Sequence, residues 1–400
     1  MYIRGDAMKK TIKDIDVNGK RVFLRVDFNV PLSENGEVLD ATRIENELPT
    51  IAYLLKNNAK VIICSHLGRP KGEVVPKLSM INIAKYLVKC IHCKIRFSSS
   101  AIGDEPKKLI DEMNFGEVLV LENIRFYKEE EENSPVFASK LASLADIYVN
   151  DAFGCAHRKH ASTYGIAKLL PNAVGFLMGK EINTITEVLN NPHRPFVAIL
   201  GGAKVSDKLT VVENLINKCD KILIGGGMAY TFLKAKGIKV GTSLVEEDMI
   251  EKASDILCKA EENNVEIVLP IDHTCSGVFS PTAYPIYVKT QDIPDKLMGL
   301  DIGTKTINKY VKIIKKANTV IWNGPMGVFE FSNFLNGTKQ IAKAVAKNKG
   351  YTIVGGGDSI SAINKLGLSK KIYHISTGGG ASLKLIAGEE LPGVEVIEDV

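Results

Sequence analysis

Short β-branched runs bounded by glycine or polar residues alternate with helical patterns along the whole chain. In the first half the runs read RVFLRVDF, AKVIICS, EVLVLEN and ADIYVND; in the second they read FVAILGG, KILIGGG, VEIVLP, NTVIWNG, YTIVGGG and IYHIST. Helical patterns between them include Arg43 to Leu55, Val136 to Leu144, Asp207 to Ile216, Glu247 to Lys259 and Lys339 to Ala346. Apolar strands alternating with helices require parallel sheets covered on both faces. So many strands suit two sheets better than one, and 400 residues suit two domains. The expected fold class is therefore α/β, with two doubly wound parallel-sheet domains. The helical stretch MGKEINTITEVLNN, stopped by PHRP, marks the join as a helical hinge. This gives a first domain over residues 1–178, a linker over 179–193 and a second domain from 194 to 387.

Composition narrows the functional classes. Hydrophobic residues make up 45% and charged residues 24%, which excludes a disordered chain. Lys+Arg minus Asp+Glu is 51 − 46, or +5, and the excess is dispersed, so no nucleic-acid partner is expected. No apolar run approaches the roughly 18 residues of a membrane helix, and no membrane partner is expected. MYIRGDAMKK has no apolar stretch after its charges and does not read as a secretory signal; Met8 offers a second possible start. Seven scattered cysteines, an odd number, read as reduced thiols in the cytoplasm. Cys90 and Cys93 form a lone C-x-x-C with no second pair, so no zinc site is expected.

Ligands of doubly wound sheets bind beyond the carboxyl ends of the strands. In the first half these ends carry Asp27 and Asn29, His66 and Arg69, Arg125, and Asp151 with Arg158. In the second half they carry glycine: Gly201-Gly202-Ala203-Lys204, Gly225-Gly226-Gly227, Asn323-Gly324, Gly355-Gly356-Gly357-Asp358 and Thr377-Gly378-Gly379-Gly380. Arginine forks suit a small polyanion, whereas glycine and helix N-termini suit nucleotide phosphates. The natural joint reaction is phosphoryl transfer. Plainer readings stand beside these. An arginine at a strand end is commonly a solvated residue, and glycine after a strand is commonly a tight turn. From its own residues His66 reads rather as a packed strand-end histidine, Asp358 also as a helix N-cap, and Glu330 equally as an exposed loop carboxylate. The chain lacks G-x-G-x-x-G after a strand, which disfavours a dinucleotide dehydrogenase, and lacks the P-loop and protein-kinase motifs.

RVDFNVP, SHLGRPKG, LENIRFYKEEEEN, YVNDAFGCAHRKHAST, LGGAKVSDK, GGGMAYTFLK, WNGPMGVFE, GGGDS and STGGGASL resemble, in order and over nearly the whole chain, the motifs of the phosphoglycerate kinase family. The resemblance implies two Rossmann-like domains, with residues from about 388 to 400 packing back on the first. It implies a cytoplasmic, monomeric glycolytic enzyme acting on 3-phosphoglycerate, 1,3-bisphosphoglycerate and ADP or ATP, with Mg2+ as cofactor. It implies a triose site of Asp27, Asn29, Arg43, His66, Arg69, Arg125 and Arg158. The implied nucleotide site holds Gly202, Ala203, Lys204, Lys208, Gly226, Gly227, Gly299, Leu300, Asn323, Val328, Glu330, Gly355, Gly356, Gly357, Asp358 and Ser359. Arg43 and Lys208 would be catalytic, and Asp358 would hold the nucleotide-bound Mg2+. If the helix after the first second-half strand has begun by Lys204, then Lys204 and Lys208 stand one turn apart and face one phosphate. A non-catalytic phosphometabolite binder is the rival reading; it would not need Lys208 and Asp358 together.

Two features depart from the motifs. Cys155 takes a place in DAFGCAHR where a hydroxyl or small residue is usual, which could add thiol reactivity. HTCSGVFSPTAYP, from His273 to Pro285, follows no familiar pattern and should line an edge of the nucleotide domain.

Overall fold

The chain divides into one unit formed by Met1–Asn183 with Glu390–Val400 and a second formed by Thr184–Glu389. The computed structural model describes residues 3–4 and 7–400; Met1, Tyr2, Gly5 and Asp6, within the leading MYIRGDA, lie outside the described residues.

In the first unit β1 (Arg21–Arg25), β2 (Lys60–Cys64), β3 (Ile95–Phe97), β4 (Val118–Val120), β5 (Ile147–Asn150) and β6 (Asn172–Val174) form one parallel sheet. The strand order is β3-β4-β2-β1-β5-β6. β1 is buried on both faces: Val22 and Leu24 join a core with Ile44, Ile51 and Leu54 of helix Thr42–Lys56, and Phe23 is buried on the opposite face. That amphipathic burial, spaced at i, i+7 and i+10, fixes where Arg43 enters at the helix start. β3 and β6, which the sequence reading did not name, are three-residue strands at the two edges. An edge strand has one neighbour and a short apolar run, so its sequence signal is faint.

In the second unit the parallel sheet has the order β9-β8-β7-β13-β14-β15. Here β7 is Phe196–Leu200, β8 Lys221–Ile224, β9 Glu266–Val268, β13 Thr319–Asn323, β14 Tyr351–Gly355 and β15 His374–Ile375. Register pairs Leu200 with both Ile224 and Asn323, and Asn323 with Gly355, so four strand ends form one row. The single tryptophan, Trp322, is fully buried in the adjoining core with Tyr310, Ile341 and Val345, and its indole donates to Gly324 O at 2.8 Å.

Between β9 and β13 the chain inserts a three-stranded antiparallel sheet of β10 (His273–Ser276), β11 (Ile286–Val288) and β12 (Met298–Ile302). This small sheet stands beside the two parallel sheets expected from the sequence. The segment His273–Pro285 supplies β10 and the turn after it; its polar HTCS, although buried, lacks the apolar run that marks a strand.

Helix Phe176–Asn190 joins the units, with the division falling between Asn183 and Thr184. The C-terminal residues are fastened within the first unit: Asn150 Nδ2 donates to Gly393 O at 2.9 Å and Lys10 N to Glu398 O at 2.8 Å. Among the described residues no helix is long and apolar enough to cross a membrane.

Candidate active site

In the six-stranded sheet of the first unit the strands all run the same way, so the ends of β1, β2, β4 and β5 deliver their polar residues to one edge. Asp27, two residues past β1, is nearly buried and centres the cluster. Arg43 Nη1 donates to its Oδ2 at 2.8 Å, and His66 Nδ1 lies 3.8 Å from its Oδ1. Asn29 Oδ1 accepts the Gly68 N–H at 2.8 Å, and Arg125 Nη1 donates to Gly68 O at 3.0 Å. Arg125 sits on the tight turn Ile124–Phe126, whose N-cap Asn123 accepts the Arg125 N–H. Arg158 is half-buried and donates to His157 at 3.1 Å; Arg69 is exposed, beyond Gly68.

Electrostatics separates these residues. Burial, then Arg25, Arg125, Arg43 and Arg158, pushes the His66 pKa well below its ordinary value. His66 is therefore a neutral hydrogen-bonding group, and the packed reading of it describes its burial correctly. Positive charge on this edge comes from arginine. Arg25, which the sequence reading passed over, is fully buried, with Nε donating to Ser162 Oγ at 2.7 Å. Ser162 Oγ donates in turn to buried Glu130 Oε1 at 2.6 Å. An arginine inside an otherwise apolar strand was the signal that could have revealed it. Asp27, His66 and Cys155 offer ligand atoms within 4.8 Å of one another. Four nearby arginines, and a thiol that burial pushes up to about 11, make this a poor cation site. The same burial corrects the expectation of reactivity at Cys155, whose Sγ packs 3.7 Å from His66 Nδ1.

The second unit holds a cavity of about 440 Å3 beyond its strand ends. Gly202, Ala203, Gly226, Gly227, Gly299, Leu300, Val328, Glu330 and Asp358 line it, nine of the residues expected for a nucleotide. Lys204, Lys208, Asn323, Gly355, Gly356, Gly357 and Ser359 do not line it but cluster around the row of strand ends, except Lys204, which is exposed. Glycine here serves the protein's own packing as well. Gly226 has φ +68°, and a Cβ there would stand 2.6 Å from the backbone of Gly202. Ser359 Oγ accepts the Gly324 N–H at 2.7 Å.

Lys208 is 8% exposed. Its Nζ donates to Asn323 Oδ1, bridging β7 and β13, the strands between which the sheet changes direction of growth. Burial lowers its pKa to about 8 against the pull of Asp207 and Asp358. The helix after β7 begins only at Leu209, preceded by a tight turn over Ser206–Lys208. Lys204 and Lys208 therefore do not stand one helical turn apart, and that expectation is corrected. Glu246, also missed, holds the loop: its carboxylate accepts the N–H groups of Val205 at 2.5 Å and Ser206 at 3.1 Å. Asp358 is the second residue of helix Gly357–Lys365, makes no capping bond and is exposed to the cavity; Gly356, with φ +85°, is the cap. Glu330 is exposed on the cavity wall. Phe279, within the unfamiliar segment, and Phe331 add a ring pair 5.0 Å apart to that wall.

A model of the phosphoglycerate kinase family matches residues 12–389. The phosphoglycerate kinase of Clostridium kluyveri is 51% identical over 394 residues, covering 98% of this chain and 99% of that protein. That of Clostridium botulinum is 50% identical over the same shares. Among solved structures, phosphoglycerate kinase from Coxiella burnetii superposes with a TM-score of 0.87 at 36% identity, covering 97% of this chain and 98% of that one. The enzyme from Pyrococcus horikoshii gives 0.82 at 34% identity over the same shares. With a family model matching residues 12–389 and relatives about half identical over almost the full length, the chain belongs to the phosphoglycerate kinase family.

Proposed function

We propose that the chain is the glycolytic kinase that transfers a phosphoryl group reversibly from 1,3-bisphosphoglycerate to MgADP, giving 3-phosphoglycerate and ATP. The observation that carries this reading is buried Lys208, bonded to Asn323 at the switch point of a sheet whose cavity Asp358 lines. A mere binder of phosphometabolites needs no buried cation poised beside a carboxylate. Asp27, Asn29, Arg43, His66, Arg69, Arg125 and Arg158 hold the triose. The cavity walls take adenine and ribose, with Glu330 on the ribose hydroxyls. Lys204, Lys208, Asn323 and the Gly355–Gly357 turn meet the phosphates.

The acyl phosphate passes directly to the β-phosphate of ADP, in line and without a phosphoenzyme. Arg43 and Lys208 act on the charge of the transferring group, which needs positioning and neutralisation more than covalent help. An exposed carboxylate facing the cavity suits the hard, oxygen-seeking Mg2+, so Asp358 would hold it; when bound, the ion neutralises phosphate charge. Acyl phosphates hydrolyse, so water is excluded by closure of the units once both substrates are bound. We assign the enzyme to the cytoplasm and to a monomeric state. A coupled assay tests the activity: ATP forms only when 1,3-bisphosphoglycerate and MgADP are both supplied. Binding of both without ATP formation would return the chain to the binder class.

A further inference from the structure

Behind the rim at Asp27 lies a pair of acids that phosphoryl transfer does not itself require. Glu47, on helix Thr42–Lys56, and Asp151, just past β5, are both fully buried. Glu47 Oε1 accepts the Asp27 N–H at 3.3 Å. Asp151 Oδ1 accepts the Met178 N–H at 2.8 Å, and the Asp151 N–H donates to Arg25 O at 2.9 Å, two residues before Asp27. Thr50 Oγ1 accepts the Phe176 N–H at 3.0 Å. Asp151 thus gathers the first turn of helix Phe176–Asn190. Gly175 makes room for it, because a Cβ there would stand 2.2 Å from the Asp151 carboxyl carbon.

The remaining oxygens, Glu47 Oε2 and Asp151 Oδ2, are closed to solvent and have no donor among the described residues. Glu47 and Asp151 bind the same short stretch of backbone, at Asp27 and Arg25, and each acts electrostatically on the other. Two carboxylates offer only acceptors, so such oxygens buried side by side without a donor need a proton. The charges acting most on Glu47 are Asp151 and Asp27, both negative, and Arg43 is already paired with Asp27. Asp151 has the Met178 N–H at the positive end of a helix to stabilise its charge; Glu47 has one backbone N–H, away from a helix N-terminus.

We propose that Glu47 and Asp151 share one proton, carried by Glu47, and act as positioning residues that tie the backbone at Asp27 to the first turn of the joining helix. The proposal rests on the reading that Asp27 and Arg43 serve the triose. It gives the triose edge a hydrogen-bonded connection to the helix that leads into the nucleotide unit.

Amide replacements test the proton directly. Gln at position 47 keeps the shape, accepts from Asp27 and offers an N–H to Asp151. Asn at position 151 surrenders one of the acceptor oxygens that bind the helix. Glu47→Leu and Asp151→Asn should lower kcat/KM for the triose by roughly 10²-fold, the cost of a misplaced site, with KM for the nucleotide little changed. Glu47→Gln should restore most of that loss. In infrared difference spectra of the folded protein, wild type minus Glu47→Gln should show a protonated-carboxyl band, whatever the catalytic activity. Absence of that band, or Glu47→Gln as impaired as Glu47→Leu, overturns the proposal. If Glu47→Leu does not fold, the contrast between Glu47→Gln and Asp151→Asn decides in its place. Wild type with the band but without activity would instead count against the proposed function.

Discussion

Lys208 is a cation whose charge depends on what it faces. With burial holding its pKa at about 8, it is about half-charged near that pH before any anion arrives. A phosphate beside it favours the charged form, so nucleotide binding should take up a proton. Affinity for MgADP should accordingly fall as pH rises through about 8, read by calorimetry in buffers of differing ionisation enthalpy, and Lys208→Gln should lose that dependence. Lys208→Ala should cost roughly 10²-fold or more in kcat while ground-state binding changes much less. A wild-type kcat would remove the residue from the mechanism. The sequence showed a lysine near a helix start, an unfavourable place for a cation lacking an anion. It did not show the burial, which depends on Asn323, 115 residues away. Arg25 was illegible for the same reason, since its partner Ser162 is 137 positions on.

The ten strand runs and five helical patterns named from the sequence all fall on observed elements, and so does the row of strand ends that carries the candidate residues, whereas helices such as Thr304–Lys316 went unnamed. The antiparallel sheet escaped as well, because His273–Ser276 is polar and its register with Met298–Ile302 contains an irregularity at Thr274/Cys275. That sheet buries Asp301, whose Oδ2 accepts the Gly337 N–H at 2.6 Å and Oδ1 the Ile302 N–H at 2.9 Å. Burial outweighs those bonds and raises its pKa to about 8. A carboxyl raised on folding contributes stability that is full below its unfolded value, near 4, and is lost as pH rises through about 8. Denaturant unfolding between pH 5 and 8.5 should therefore show stability falling more steeply in wild type than in Asp301→Asn. Parallel curves would mean that Asp301 is ionised in the folded protein.

The two proposed sites draw their residues from separate units, so the proposed transfer depends on bringing two bodies together. Closing them gathers like-charged substrates, which is unfavourable unless basic side chains and Mg2+ offset the repulsion. One ligand leaves part of that positive field without its anion and shifts the equilibrium only partly. Small-angle scattering should show the radius of gyration falling most with 3-phosphoglycerate plus magnesium nucleotide, and less with either alone. An unchanged radius in an active ternary complex would sink the closure proposal.

Residues 390–400 belong to the unit that residue 183 leaves, so the second unit is an insertion in the covalent thread of the first. Gly393 both accepts from Asn150 and donates to Ala156 O, within NDAFGCAHR, the stretch that leads to Arg158. On a ribosome, the unit that starts first is therefore completed last. The second unit has all of its residues while the arginine-lined edge of the first still waits for the segment that will brace it.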